Sequence, residues 1–346
     1  LRDKVAMIEK SKGEIVFFDD DASKKRKLER YIPAKTGCQL DFISLQGEDV
    51  FETVETKLQS IEDEPDIVLM DQDLSHTKTS SKRLTQNGTG LVPILREHWP
   101  KPPVICVTAV PAWKMGELLK DLYEEVVAYE DLPSFADYIP SLLRGYEKLR
   151  VEVTSICELM GVLHAPASDR EGIREVLPRE VKTDISTDGR IDEHSRHILY
   201  RWFRREFYAR PGFLLDGDWT SLLLGIAPEY LPQYKGHIRE ALYTGIFKNE
   251  ARSRWWKSLL YQCLLPSDER RLSESLHRIA KQELEIPDQH ASRCSVCDEK
   301  WPEVMGLPDS SSPPEPMHRG CTKPDPNYTI DKPFYEQTRI MREEAK

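Results

Sequence analysis

Acidic and hydroxyl side chains follow three apolar segments in the N-terminal half of the sequence. Asp19, Asp20 and Asp21 follow "EIVFF", Asp71 follows "DIVLM", and Thr108 ends the apolar part of "PVICVTA". Carboxylates held close together repel one another unless a hard cation binds them, and Mg²⁺ with carboxylate and water ligands suits this composition. The residue types therefore predict a magnesium pocket formed by Asp19, Asp20 and Asp71, with the Thr108 hydroxyl available to hold a phosphoryl oxygen.

A second set of metal ligands lies near the C-terminus. "CSVC" and "HRGC" place Cys294 and Cys297 before twenty intervening residues and then His318 and Cys321. Two chelating pairs separated by a loop are typical of a tetrahedral structural Zn²⁺ site, and four protein ligands leave no position for a substrate. The segment between the pairs has little apolar material, so metal binding would supply much of its folding energy. The alternative is a set of unliganded cysteines in a disordered tail.

The acidic residues require a sheet to bring them together. Strand-like segments alternate with helix-like ones, which predicts a doubly wound, five-stranded parallel sheet of the flavodoxin-like class. Its strands are predicted at 14–18, 40–45, 66–70, 103–109 and 125–129. Ligands of such sheets bind outside the carboxyl ends of the strands, where the acidic residues lie.

These three motifs resemble the leading signatures of the response-regulator receiver (CheY-like) domain, in the same order. The resemblance implies that Asp19 and Asp20 are the acidic pair, that Asp71 is the phosphoacceptor, and that Thr108 is the switch hydroxyl. It covers about 135 residues of the chain. In that family the acids hold Mg²⁺, and the central aspartate accepts phosphate from a histidine kinase.

The sequence departs from the receiver pattern after the fifth strand. Receivers carry a lysine there that pairs with the phosphorylated aspartate, whereas "VVAYEDLPSF" (126–135) contains none and places Glu130 near that position. Lys78, Lys82 and Arg83 are candidates for a substitute cation. The departure leaves two alternatives open, a phosphorylated receiver and a pseudo-receiver that acts without phosphate.

The last helix of this domain carries a heptad-like apolar pattern. Its apolar positions follow 4-3-4-3 spacing over residues 142–163, which predicts one continuous helix and a coiled-coil homodimer. The alternative is an amphipathic helix packed on its own domain. The following residues, 164–193, are polar with proline and glycine, which predicts a loose linker.

Two later segments interleave arginine with aromatic residues, which is a pattern that can follow a phosphate backbone and stack on bases. They are 196–210 and 252–257, and the candidate nucleic-acid contacts are Arg201, Arg204, Arg205, Arg252 and Arg254. The alternative, which is commoner, is an amphipathic helix with aromatic core positions and a solvated arginine face. The neighbouring His194 and His197 are expected to be solvated residues near a helix cap.

Composition limits the class of protein. The 346 residues are 39% hydrophobic and 31% charged, with a formal charge of −10, which argues against non-specific coating of nucleic acid. The charged N-terminus has no signal-peptide core and no apolar run is long enough to span a bilayer, so a cytoplasmic location is expected. Four segments are predicted: a receiver-like domain (1–148), a helical connector and linker (149–193), a helical domain (194–285), and a zinc module with a tail (286–346).

The preferred function is a non-catalytic signalling protein, in which the receiver controls assembly or the binding of a protein partner by the distal half. One alternative is a nucleic-acid-binding effector. The other is a metal-dependent phosphate hydrolase that uses the acidic pocket, although no residue in the sequence supplies its base.

Overall fold

The structure is a computed structural model of the chain. It describes residues 13–45, 50–61, 63–74, 87–109, 122–187, 191–248, 253–265, 276–306, 315–324 and 340–342. These residues form two compact units. Unit 1 comprises the described parts of Leu1–Ser155 together with Arg179–Arg204, and unit 2 comprises Ile156–Pro178 and the described parts of Arg205–Lys346.

A five-stranded parallel sheet forms the centre of unit 1. The strands are β1 (Glu14–Asp19), β2 (Gln39–Ser44), β3 (Ile67–Asp71), β4 (Val104–Thr108) and β5 (Glu125–Ala128). Every residue of β3 and β4 is buried, as expected for central parallel strands whose two faces are both covered. The predicted doubly wound fold is therefore confirmed.

The order of the strands is β2-β1-β3-β4-β5. The chain moves outward in one direction from β1 to β2 and then returns to continue in the other direction from β3. This reversal opens a crevice between the carboxyl ends of β1 and β3, which is where doubly wound sheets bind their ligands. Asp19 ends β1 and Asp71 ends β3, so the fold places both carboxylates at the crevice.

The helices of unit 1 connect and extend these strands. They are α1 (Lys25–Thr36), α2 (Val50–Ser60), α3 (Val92–His98), α4 (Leu132–Val151), α7 (Arg179–Thr187) and α8 (Glu193–Arg201). Helix α1 ends at Gly37, whose φ of 71° suits glycine because side chains with a Cβ rarely adopt the left-handed region.

The predicted continuous helix over 142–163 is wrong. Helix α4 ends at Val151, and α5 (Ile156–Val162) begins after a short break. Apolar positions of the expected dimer seam, including Leu142, Leu149 and Leu163, are fully buried within the chain itself. These side chains are therefore not available to a second copy. The apolar pattern belongs to two helices, α4 in unit 1 and α5 in unit 2, rather than to one amphipathic helix.

The predicted loose linker at 164–193 is also wrong, because much of it is helical. Helix α6 (Arg170–Val176) belongs to unit 2, whereas α7 (Arg179–Thr187) belongs to unit 1. Each helix buries apolar side chains, for example Ile173 in α6 and Val181 in α7. The segment is polar in composition because these helices are short and each buries only a narrow face.

Unit 2 is mainly helical. After α5 and α6 it contains α9 (Gly217–Leu224), α10 (Leu231–Tyr234), α11 (Lys257–Leu264) and α12 (Leu276–Glu283). A π-helical turn, Trp202–Phe207, follows α8. The apolar core of unit 2 is formed by α9, α11 and α12, with Leu224, Leu260 and Ile279 among its most buried side chains.

Short antiparallel strand pairs complete unit 2. They are β6 (Leu214–Leu215) with β7 (Trp255–Trp256), β8 (Val304–Gly306) with β9 (Glu315–Met317), and β10 (Thr322–Pro324) with β11 (Ile340–Arg342). Among the described residues, no helix has both the length and the apolar character that crossing a membrane requires.

Candidate functional site

The acidic pocket lies at the carboxyl ends of β1 and β3. Asp19, Asp20 and Asp71 are buried, with 0%, 2% and 6% of their surfaces exposed. One carboxylate oxygen from each lies within 4.8 Å of the others. The fold thus brings together the three residues predicted from the sequence, and three buried carboxylates are a donor set that fits a hard divalent cation.

A lysine that belongs to none of the sequence motifs lies in this pocket. The Nζ atom of Lys24 is 3.0 Å from Oδ2 of Asp19 and 3.0 Å from Oδ2 of Asp71. Lys24 ends a short 3-10 turn, Ala22–Lys24, which Asp21 caps by accepting a hydrogen bond from the backbone N–H of Ser23. This turn directs the Lys24 side chain back over the sheet edge.

The charges of the pocket perturb one another. Burial and the neighbouring Asp71 raise the pKa of Asp19 to about 7, although hydrogen bonds from Asp21 and Lys24 oppose the shift. Burial likewise raises the pKa of Asp71 against the opposing effect of Lys24. For Lys24, burial favours the neutral amine, but its hydrogen bonds to Asp19 and Asp71 dominate and raise its pKa. One ammonium therefore compensates the carboxylates only in part.

The surroundings of Asp71 are tightly packed. The backbone N–H of Asp73 donates to Oδ1 of Asp71 at 3.1 Å. Gly88 lies against the backbone of Asp71, and a Cβ at Gly88 would collide with the Asp71 carbonyl oxygen. Thr108 ends the neighbouring strand β4 and is 2% exposed. The hydroxyl-bearing residue predicted from the sequence thus ends the strand next to Asp71.

The position after β5 holds an aromatic residue rather than a lysine. Tyr129 begins a 3-10 turn, Tyr129–Asp131, and its ring centroid is 4.9 Å from Nζ of Lys24. Glu130 is exposed. The candidate substitute cations Lys78, Lys82 and Arg83 lie outside the described residues.

The four C-terminal metal-ligand candidates also converge. One ligand atom from each of Cys294, Cys297, His318 and Cys321 lies within 4.8 Å of the others. Cys294 and Cys297 precede β8, whereas His318 and Cys321 follow β9, so the β8–β9 pair brings the two chelating pairs together. Three cysteines and one histidine are donor types that hold a structural Zn²⁺ in closed, four-coordinate sites of other proteins.

Neighbouring groups orient these ligands. Nε2 of His318 is 3.0 Å from the carbonyl oxygen of Lys300, so a proton on Nε2 can be donated there, while Nδ1 lies 3.3 Å from Sγ of Cys297. Burial disfavours the Cys294 thiolate, but backbone N–H groups of Cys297, His318 and Val296 outweigh burial and lower the pKa of Cys294 to about 6. Burial and the nearby Cys297 and Cys294 raise the pKa of Cys321 to about 11.

The structure contradicts the interpretation of Arg204 as a solvent-facing contact to nucleic acid. Arg204 is 8% exposed, and its guanidinium binds Glu125 through contacts of 2.7–3.1 Å and donates to the hydroxyl of Tyr138 at 2.6 Å. Arg201 lies 3.3 Å from Glu124. These guanidinium groups are committed to acidic residues of unit 1, which explains why arginine alternates with buried aromatics in this segment.

Among the residues that the structure describes, the remaining candidates for nucleic-acid contact do not form a basic surface. Arg254 lies 3.2 Å from Asp216 and stacks on the Tyr208 ring at 5.2 Å. Arg205 is partly buried, and Arg252 lies outside the described residues.

A buried charge cluster at the opposite edge of the sheet was not predicted. Glu124 is fully buried, and its carboxylate accepts hydrogen bonds from Arg96 at 2.6 Å and from the backbone N–H of Val104 at 2.6 Å. Arg201 and Nδ1 of His197 each lie 3.3 Å from it. Burial alone would raise the pKa of Glu124, but Arg96 and His197 hold it well below its usual range.

The prediction that His197 is solvated is therefore wrong. It is 4% exposed, and its Nε2 lies 2.6 Å from the carbonyl oxygen of Pro100. The neighbouring aromatic residues of α8 could have indicated a buried face, but the partners of His197 come from distant parts of the sequence.

No protein-family model matches this chain, and no curated relative matches it. Solved structures do match its N-terminal part, and response regulators are among them. A CheY-like receiver domain protein of Methanospirillum hungatei is 16% identical and covers 40% of this chain and 98% of its own, with a TM-score of 0.29.

Two further response regulators give similar values. A LuxR-family two-component regulator of Aurantimonas is 18% identical over 39% of this chain and 87% of its own, with a TM-score of 0.31. One from Clostridium difficile is 17% identical over 38% of this chain and 96% of its own, with a TM-score of 0.29. The strand order β2-β1-β3-β4-β5 and the acidic crevice show the fold directly. The N-terminal region has the receiver fold.

Proposed function

We propose that this chain is a non-catalytic signalling protein whose receiver unit controls the binding of a protein partner by the distal half. The observation that carries the proposal is the acidic pocket, in which Asp71 and two further buried carboxylates meet at the crevice of the sheet with Thr108 on the adjacent strand. The chemistry that these residues support is the binding of a cation and, at Asp71, acceptance of a phosphoryl group.

Mg²⁺ is the metal that Asp19, Asp20 and Asp71 would hold. It would neutralise these acids and bind phosphoryl oxygens. Oδ1 of Asp71 already accepts a hydrogen bond from the backbone of Asp73, and Oδ2 contacts Lys24, so the carboxylate is held in one orientation. Thr108 would bind a phosphoryl oxygen from the neighbouring strand.

The test uses the full-length protein and acetyl phosphate with Mg²⁺. Intact-mass spectrometry is expected to detect one added phosphoryl group, which Asp71→Asn abolishes and Asp73→Asn retains. Asp73 is an exposed acid two residues away, so its variant makes the same change in charge outside the pocket. If the wild type gains no phosphoryl group, or if Asp71→Asn also gains it, Asp71 is not the acceptor.

Control of the distal half is tested separately by hydrogen–deuterium exchange. Treatment with acetyl phosphate is expected to change amide protection in peptides from Arg205–Lys346, and Asp71→Asn is expected to remove this change. The treated sample is first shown by mass spectrometry to be phosphorylated. If its amide protection is then identical to that of the untreated wild type, phosphorylation does not control the distal half.

Zn²⁺ is proposed as a structural cofactor held by Cys294, Cys297, His318 and Cys321. The convergence of the four ligand atoms and the hydrogen bond between His318 and Lys300 support this proposal, with Nδ1 of His318 as the ligand atom. Co²⁺ substitution should give the intense visible absorption of a tetrahedral thiolate site. Cys297→Ser should weaken it, whereas Cys157→Ser, at an exposed cysteine outside the cluster, should not. One zinc per chain is expected in the native protein, and a metal-free protein with unchanged stability contradicts the proposal.

The other candidate functions have weaker support. Nucleic-acid binding has less support because Arg204 lies in a buried ion pair with Glu125. A hydrolase would need a base in addition to the carboxylates that hold its metal. A homodimer through 142–163 also has less support, because the apolar side chains that would form its interface are buried within the chain itself. A cytoplasmic location remains a proposal based on the sequence.

A further inference from the structure

Lys24 binds the same oxygen atoms that a divalent cation would use. Its Nζ contacts both oxygens of Asp19, at 3.1 and 3.0 Å, and Oδ2 of Asp71 at 3.0 Å. An ammonium in this position bridges the ends of β1 and β3. A metal that bound these oxygens at about 2.1 Å would leave no space for the ammonium beside it.

The position of Lys24 is built into the fold. The turn Ala22–Lys24 directly follows the acidic run and is fixed by the Asp21 cap, and the Lys24 side chain is 22% exposed. The Tyr129 ring covers the ammonium from the β5 side at 4.9 Å. Two carboxylates, one aromatic face and a capped turn thus surround one ammonium.

The next lysine shows that this arrangement is specific. Lys25 is the first residue of α1, its side chain is 48% exposed, and it pairs with Glu29 along the helix at 3.6 Å. An adjacent residue of the same type and charge therefore lies outside the pocket. Lys25→Met is the matched control for Lys24→Met.

We propose that Lys24 is the resident cation of the acidic pocket and that a divalent cation binds there only by displacing it. The inference deepens the proposed function, because it identifies the residue that regulates access to Asp71. With Lys24 in place, Asp71 is held in an ion pair. When the metal displaces Lys24, Oδ2 of Asp71 loses this partner and the ammonium is released towards solvent.

The first experiment measures Mn²⁺ binding to the full-length protein by electron paramagnetic resonance. Lys24→Met is expected to bind Mn²⁺ at least about tenfold more tightly than the wild type, because a competing positive charge a few ångströms away is removed. Lys24→Arg should remain close to the wild type, and so should Lys25→Met. Equal affinity of Lys24→Met and the wild type overturns the proposal, as does the absence of binding in both.

A second experiment needs no variant and so does not depend on Lys24→Met folding correctly. The wild type is acetylated with an amine-reactive ester with and without saturating Mg²⁺, and the modification of each lysine is quantified by mass spectrometry. Mg²⁺ should increase the reactivity of Lys24 severalfold and leave Lys25 unchanged. Unchanged reactivity of Lys24 overturns the proposal.

Neither experiment requires phosphorylation, so the two proposals can fail separately. Displacement of Lys24 by Mg²⁺ without any transfer from acetyl phosphate would leave the competition intact and remove phosphoacceptance. Phosphoryl transfer to Asp71 with no effect of Mg²⁺ on Lys24 would support phosphoacceptance and overturn the competition.

Discussion

The two edges of the parallel sheet in unit 1 carry opposite imbalances of charge. At the carboxyl edge, the three carboxylates of the acidic pocket meet one described cation, Lys24. At the amino edge, Glu124 and Glu125 meet three guanidinium groups, from Arg96, Arg201 and Arg204. Both sets are largely buried, so the difference does not arise from exposure to solvent.

This difference indicates that the acidic pocket is a cation-binding site, whereas the Glu124 cluster stabilises the fold. Acids at the amino edge have their charges compensated by partners fixed on α3 and α8, and the pKa of Glu124 is lowered accordingly. Acids at the carboxyl edge are only partly compensated, and the pKa of Asp19 is raised. Removing one acid should therefore have opposite consequences at the two edges.

The largest expected effect is that of Glu124→Gln. The substitution keeps the shape of the side chain but leaves Arg96 and Arg201 without their buried anion, so the free energy of unfolding should fall by about 3 kcal/mol. Urea denaturation followed by circular dichroism measures this change. Asp137→Asn removes an exposed ion pair with Lys35 and should change stability far less than Glu124→Gln does. Similar effects of the two substitutions would show that the Glu124 cluster is not a stabilising site.

The next effect is the coupling between Glu125 and Arg204. A double-mutant cycle with Glu125→Gln and Arg204→Met should give a coupling energy of about 2 kcal/mol, because the pair is bidentate and mostly buried. The corresponding cycle for Lys35 and Asp137 should give a much smaller coupling energy, because that pair is exposed to solvent. A coupling energy near zero for Glu125 and Arg204 would mean that this ion pair does not stabilise the turn that follows α8.

The pH dependence of stability should follow Glu124. Its pKa is lower in the folded chain than in the unfolded chain, so its contribution is complete above the unfolded value of about 4.3 and is lost as the pH falls below it. The difference in unfolding free energy between wild type and Glu124→Gln should therefore shrink between about pH 5 and pH 3. A difference that is constant over this range would contradict the lowered pKa.

The amino-acid sequence predicts the carboxyl edge better than the amino edge. Asp19, Asp71 and Thr108 follow apolar runs directly, and strand ends of a parallel sheet converge whatever the details of packing. The sequence does not identify Lys24 as a residue of the pocket, because Lys24 lies in a basic run that predicts a solvated helix. The direction of its side chain depends on the turn at Ala22–Lys24. Only the position of Lys24 in space identifies it.

The amino-edge cluster depends on pairs that are distant in the sequence. Glu125 and Arg204 are 79 positions apart, and no local pattern encodes their contact. The break between α4 and α5 did have a local signal, since Ser155 and Glu158 have the spacing of a capping box. Apolar periodicity continued through the break because the side chains on both sides of it are buried.

The smallest expected effect, and the one of opposite sign, is that of Asp71→Asn. The amide oxygen can still accept a hydrogen bond from Lys24, but the backbone N–H of Asp73, which donates to the other oxygen of Asp71, then faces the amide NH2 and loses its acceptor. Removal of one of three neighbouring negative charges opposes this loss. In metal-free buffer near pH 7, the free energy of unfolding should therefore stay the same or rise by up to about 1 kcal/mol. Asp73→Asn provides the control for a change of charge outside the pocket.

Comparing Asp71→Asn with Glu124→Gln is the most direct test of the difference between the two edges. Each replaces a buried carboxylate with an amide of the same shape, so a difference in sign can come only from the cations around the two groups. Added Mg²⁺ should stabilise the wild type more than Asp71→Asn, because the variant loses a ligand and the cation is the charge that the pocket lacks. If Asp71→Asn destabilises the metal-free protein as strongly as Glu124→Gln does, the acidic pocket is a structural ion-pair cluster and Lys24 is its permanent partner.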